Sequence, residues 1–198
     1  MGQSNANLAA LIGSRICHDL ISPIGAINNG LELLDMSGGA PGPEMDLIQE
    51  RVGNASARIR YFRIAFGAAG EQEMGRVEVV AILKDLMDGA RLDVAWGPMD
   101  AQERKMVRMA FLALLCMENA MPYGGRVEIS QDDDRWLLHG HAEKLNIDEA
   151  LWHILATAEA PQDLRPAQVQ FALLPLIAAD LGRRVTTEIS GTQLKLRF

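Results

Sequence analysis

Cysteine is scarce: Cys17 and Cys116 are the only two among 198 residues, and each lies in an apolar stretch with helical spacing. A disulfide scaffold is excluded, and two reduced thiols packed in cores are expected. Cations are outnumbered, 19 Lys and Arg against 26 Asp and Glu, leaving a net charge of −7. Such a chain gains nothing from a phosphate backbone, and it has no basic stripe with interleaved aromatics, so no nucleic acid is expected as partner. No apolar run approaches the roughly 18 residues that span a bilayer. The first residues, MGQSNANLAALIGSR, carry no basic n-region. Neither a membrane span nor a secretory leader is expected, and cytoplasmic is the default location. With 48% hydrophobic and 23% charged residues, the composition is that of an ordinary globular protein rather than a disordered one.

What the chain does have is a helical hairpin in its first third. Cys17, Leu20, Ile24, Ile27, Leu31 and Leu34 alternate steps of three and four, the spacing of a heptad seam. The segment Ser37-Gly38-Gly39-Ala40-Pro41-Gly42-Pro43 is a loop. A second, unbroken seam follows at Ile48, Val52, Ala55, Ile59, Phe62 and Phe66. Each helix is expected to span about 25 to 30 residues, or roughly 40 Å. Two helices cannot enclose a core. Their stripes need either the rest of the chain or a second copy, and a four-helix bundle formed by dimerisation is the simplest solution.

After a small-residue linker, Gly67 to Gly75, the pattern changes. A short helix from Val77 to Ala90 ends at Gly89, and Arg91 to Trp96 alternates like a strand. Asp100 is placed to cap a very apolar helix running to about Ala120. Residues 126–130 and 135–141 read as a strand hairpin around Asp132-Asp133-Asp134, a solvated turn. A helix over Ile147 to Leu155, a loop over Pro161 to Pro166, and a helix over Gln168 to Leu181 follow. Pro175 should kink that last helix or mark a later start. A terminal hairpin, split at Gly191, closes the chain. The expectation is an α+β protein: residues 1–70 form the helical hairpin, and 76–198 form a two-layer α/β sandwich with a mixed sheet and helices on one face.

The informative segment is Ser14-Arg15-Ile16-Cys17-His18-Asp19-Leu20-Ile21-Ser22-Pro23-Ile24. At about 100° per residue, Ile16, Leu20, Ile27 and Leu34 gather on one side of the helix. His18 points away from them, with Arg15, Ser22 and Asn29 on its face. It reads as a solvent-facing imidazole on a rigid support. Pro23, one turn on, removes an N–H and crowds the carbonyl of Asp19, at about 3 kcal/mol. Gly25, Ala26 and Gly30 leave room beside His18, although each glycine costs about 0.8–1.0 kcal/mol in a helix. A helix that tolerates such costs at one place suggests a function there.

The run His18-Asp19-Leu20-Ile21-Ser22-Pro23-Ile24 resembles the H-box of histidine-kinase dimerisation and phosphotransfer domains. The second half resembles the ATP-binding (Bergerat-like) domain that follows in those kinases, but in degenerate form. Phe111 to Ala120 is similar to a weakened N-box: Asn119 matches its second Asn, while Leu115 stands where the first is usual. His139-Gly140-His141-Ala142-Glu143 occupies the place of the Asp-x-Gly-x-Gly loop and has no Asp to read adenine. Ala160 to Pro166 replaces the glycine-rich lid, leaving few free N–H groups to cradle a triphosphate. Together these features resemble the ChpT-type histidine phosphotransferases.

That resemblance implies a homodimer relaying phosphate from the receiver domain of a hybrid histidine kinase to downstream response regulators. It implies no ATP chemistry and no cofactor of the chain's own, with Mg2+ carried by the partner receiver. His18 is the implied acceptor, through Nε2. Asp19 either orients the other ring nitrogen or favours the charged product. Arg15 either meets phosphate or is a solvated helix arginine. Ser22 either touches the partner or bonds back to the helix and eases the proline. Ile21, Pro23, Gly25 and Ala26 complete the docking surface. An ATP-dependent kinase and a non-catalytic regulator are the alternative functions.

Two further features have simpler readings. His139 and His141 share a strand face, which suits either a metal pair without an evident third ligand or plain edge-strand histidines. Met106, Met109, Met117 and Met121 are core filler, or with Phe111 the lining of a partner groove.

Overall fold

The computed structural model describes residues 2–36, 43–68, 70–159 and 163–198. Residues 37–42 of the expected loop, Ala69 of the linker, and residues 160–162 of the lid-like segment lie outside the described residues, and Pro43, expected in that loop, opens the second helix. Two long helices open the chain, α1 (Gly2–Met36) and α2 (Pro43–Ala65). At 35 and 23 residues they are less equal than expected. They pack along each other as a hairpin. α1 runs through Pro23 without ending, and Pro23 and Gly30 are buried.

The second half alternates helix and strand. β1 (Glu73–Met74) precedes α3 (Arg76–Met87), β2 (Leu92–Trp96), β3 (Gln102–Glu103) and α4 (Arg104–Ala120). β4 (Gly125–Asp132) and β5 (Arg135–His141) form the central hairpin, followed by α5 (Glu149–Thr157) and α6 (Val169–Asp180). β6 (Thr186–Ser190) and β7 (Gln193–Arg197) close the chain. The main sheet has the order β2-β4-β5-β7-β6. β2 pairs parallel with β4 across the α4 crossover, and every other pair in this sheet is antiparallel. The mixed sheet and the helices on one face match the expectation. Val127, Ile129, Trp136, Leu138, Leu194 and Leu196 point inward, each at most 1% exposed. Their neighbours Glu128, His139 and Lys195 form a polar cross-strand row on the other face.

Local chemistry explains the boundaries. Asp148 caps α5 by accepting from the amides of Ala150 (3.2 Å) and Leu151 (3.3 Å), so that helix starts two residues later than the apolar pattern suggested. α6 ends at Gly182 (φ 67°), where the Arg183 amide donates to Ala178 O at 2.8 Å and the Gly182 amide to Ala179 O at 3.0 Å. These paired bonds satisfy carbonyls that the helix leaves open. Pro175 does not delay the start of α6. Asp100 does not cap α4. Residues 102–103 instead pair with β1, and the Arg104 amide donates to Gln72 O at 2.9 Å. With 102–103 extended, α4 begins at Arg104, beyond the reach of an Asp100 cap.

α4 is the central beam, with twelve buried residues including Phe111, Leu115 and Cys116. Met106, Met109, Met117 and Met121 are all core, as is Phe111, which fits the filler reading. Burial pushes the Cys116 thiol well above its usual pKa. Cys17, by contrast, is exposed. The expectation of two packed thiols fails there because its helix face has no covering element. The seams are likewise covered only in part. Ile48, Ala55 and Phe62 are buried, whereas Ile24, Leu31, Val52 and Ile59 are 46–51% exposed.

Tyr61, Phe62, Ile64 and Ala65 of α2 belong to the same core as α4 and the sheet. The segments 1–70 and 76–198 therefore share apolar side chains. Tyr61 stacks on Phe111, with ring centroids 4.4 Å apart, and its hydroxyl donates to the Phe111 carbonyl at 2.6 Å. Burial holds the phenol well above its ordinary pKa, so it remains the donor at neutral pH. Tyr61→Phe is expected to cost about 1 kcal/mol and Tyr61→Ala about 3–5 kcal/mol, read from urea unfolding midpoints.

Candidate functional site

α1 presents His18 outward, with 79% of its side chain exposed. Asp19 follows on the flank that faces α2 and is only 10% exposed. Its two carboxylate oxygens have different partners. Oδ1 lies 3.1 Å from His18 Nδ1. Oδ2 lies 3.0 Å from an Arg15 guanidinium nitrogen and 3.8 Å from one of Arg58. An ionised carboxylate only accepts hydrogen bonds, so Nδ1 must carry the proton of a neutral His18 ring. The lone pair then resides on Nε2.

A cleft of about 560 Å³ opens beside this pair. α1 lines it with His18, Asp19, Ser22, Pro23 and Ala26; α2 adds Arg51, Asn54 and Arg58; the turn after α3 closes it at Asp88 and Gly89. The expected site residues thus fall into three groups. His18, Asp19, Ser22, Pro23 and Ala26 share the cleft. Ile21, 68% exposed, and Gly25 lie on the open surface of the same helix. Arg15 is neither solvated nor turned to the cleft. Its side chain is 13% exposed, and it donates to Asp19 and, at 2.9 Å, to the Ala167 carbonyl in the turn before α6.

At the positions that resemble a kinase nucleotide site, Leu115 and Gly140 are buried. Leu115 is 5% exposed. A Cβ added to Gly140 would sit 3.2 Å from the Met121 methyl carbon, so Met121 packs directly over the glycine that the kinase-like loop would present. His139 and His141 lie on the polar face of the sheet, and among the described residues no cluster of His, Cys, Asp and Glu is suited to a metal ion.

The family model of the histidine phosphotransferase C-terminal domain matches residues 76–193. Protein phosphotransferase ChpT of Brucella abortus (strain 2308) is 35% identical over 200 residues, covering 96% of this chain and 94% of that protein. The chain belongs to the histidine phosphotransferases, in the ChpT-type branch. A bacterial phosphotransferase of solved structure is similar throughout, with a TM-score of 0.80 at 32% identity over 97% of this chain and 95% of that one. The chain is thus a phosphorelay histidine phosphotransferase, a transferase by activity.

In this histidine phosphotransferase the apolar seam drew attention away from α2's polar face. Arg51, Asn54 and Arg58 recur at steps of three and four, which places them on one helix face. That spacing was a usable sign that α2 lends charge to the H-box. Glu118 of α4 was also missed. Glu118 keeps solvent access, yet partial desolvation of its carboxyl raises the pKa. Arg58 and Arg15 lower it, and Asp19 raises it further. A carboxyl raised on folding loses stability as pH climbs through the unfolded value toward the folded one. Glu118→Gln should therefore melt higher than wild type at pH 7, and the two should converge below the ordinary carboxylate range. Melting curves from pH 4 to pH 8 check this.

Proposed function

We propose that His18 carries the phosphoryl group between receiver-domain aspartates. The observation behind this reading is the pairing of Nδ1 with Asp19, which leaves Nε2 bearing a lone pair beside an open cleft. Nε2 attacks the phosphorus of an aspartyl phosphate in line. The N–P bond forms as the P–O bond breaks, and the receiver aspartate leaves as a carboxylate. The Nδ1 proton stays in place, and the positive charge that develops on the ring is met by Asp19. Such a transfer needs positioning and charge neutralisation more than covalent help. The receiver contributes its aspartate and the Mg2+ bound to it. Ser22, Ile21, Gly25 and Ala26 form the surface on which the receiver docks, with the buried Pro23 beneath it. The donor is the receiver of a hybrid histidine kinase, and the acceptors are response regulators.

The packing of Met121 over Gly140 and the buried Leu115 support a chain that binds no ATP. Among the described residues no helix is long and apolar enough to cross a membrane, and a cytoplasmic location belongs to the same proposal. Ile24 and Leu31 on α1 and Val52 and Ile59 on α2 leave an apolar stripe uncovered on the hairpin. A second hairpin would bury it in a four-helix bundle, making the protein a homodimer.

Two measurements test the reading. A receiver domain carrying labelled phosphate, mixed with this protein, Mg2+ and no ATP, should transfer acid-labile label to wild type and none to His18→Gln. Label on the variant would move the acceptor elsewhere. Equal regulatory output from both proteins, with no label on either, would favour the non-catalytic regulator. Light scattering should give twice the chain mass for wild type, and Leu31→Asp should shift it to the monomer. A monomeric wild type would end the bundle proposal.

A further inference from the structure

We propose that Arg15 is a positioning residue that ties the reactive form of His18 to the seating of the C-terminal half against α1. The inference rests on His18 being the phosphoryl acceptor. It goes further, because Arg15 lies on the side of Asp19 remote from the reacting atom and touches no incoming group.

Four groups are linked in series. The Ala167 carbonyl accepts from one Arg15 amino group at 2.9 Å. The other amino group holds Asp19 Oδ2 at 3.0 Å, and Asp19 Oδ1 meets His18 Nδ1 at 3.1 Å. The Ala167 end is itself fixed. It lies in the 3-10 turn Pro166–Gln168 and also accepts from Gln170 Nε2 at 3.0 Å. Gln170 is 1% exposed. α1 reaches this turn because Leu8, Leu11, Ile12 and Ile16 pack on the core of the C-terminal half. The planar guanidinium fork supplies two donors in fixed directions, which a lysine ammonium on its flexible stem does not reproduce.

The charges around Asp19 explain why the link is needed. Arg58 of α2 stands 3.8 Å from the same oxygen that Arg15 holds. Glu118 of α4 is a like charge close enough to act on Asp19, and His18 is the remaining neighbour. Without Arg15 the carboxylate keeps only the more distant Arg58 as counter-charge, with Glu118 as a like charge in its surroundings. It then turns toward Arg58 and away from Nδ1. A ring released from Asp19 exchanges between its two neutral tautomers, and the form protonated on Nε2 has no lone pair where the phosphoryl group must arrive.

The test uses the full-length protein with Arg15→Ala and Arg15→Lys. Single-turnover transfer from the labelled receiver should slow about tenfold or more in Arg15→Ala, with an intermediate loss in Arg15→Lys although the charge is kept. Nitrogen NMR of the His18 ring gives the readout that a general loss of stability would not move. Wild type should show a protonated Nδ1 and a bare Nε2, and both variants should shift toward a mixture. If Arg15→Ala does not fold, Arg15→Lys decides. Unchanged tautomer signals together with unchanged transfer in the folded variants would overturn the proposal. Absence of label on wild type would defeat the phosphoacceptor reading instead, while a tautomer shift in the variants would still uphold the positioning role.

Discussion

Tyr61 has no solvent to fall back on. Its ring is stacked on Phe111 and its hydroxyl is committed to a helix carbonyl inside the core. Through this contact α2 is locked onto α4, and α4 in turn carries the sheet. The lower part of α1 packs on the turn before α6, so the hairpin is held at two places and cannot swing freely about the linker. The geometry around His18 depends on that double attachment. Asp19 contacts its own helix through Arg15 and α2 through Arg58, and it feels α4 through Glu118. Moving any one of these helices changes the charges that Asp19 sees.

Much of this was legible in the sequence. The three-four spacing of the apolar residues gave both long helices, and the same wheel put His18 on the exposed side of α1. Alternation and turn residues gave the five strands of the main sheet, because most of their inward positions are apolar; Gln131 opposite Trp136 and Thr187 opposite Leu196 are polar ones. The two-residue ribbon of β1 and β3 left no such trace. Two residues have no period, and the pairing is set by where α3 and α4 bring the chain. Periodicity also could not say which apolar residues would be covered. Ile24 and Ile48 occupy similar seam positions, yet one is half exposed and the other buried, since burial depends on what packs opposite.

The site was legible on one helix only. A helical wheel places Arg15 near His18 but says nothing of a carbonyl 152 positions away in the chain. Arg15 therefore read as a phosphate ligand or a solvated side chain, whereas here it is 13% exposed and bonded to Asp19 and the Ala167 carbonyl. The role of Asp19 was open for the same reason. Whether a carboxylate orients a neighbouring ring depends on rotamers, and here Arg15 and Arg58 pull one of its oxygens inward while the other meets Nδ1.

Pro23 divides α1 at a telling place. A proline there leaves the Asp19 carbonyl without its partner four residues on, so the helix lacks one rung between the H-box and the apolar stripe. On one side stand His18 and the side chains packed on the C-terminal half; on the other stand Ile24, Leu31 and Leu33, which face outward. A rod with a missing rung bends there more readily than elsewhere. Bending of α1 would therefore concentrate next to Asp19 rather than spread along the helix.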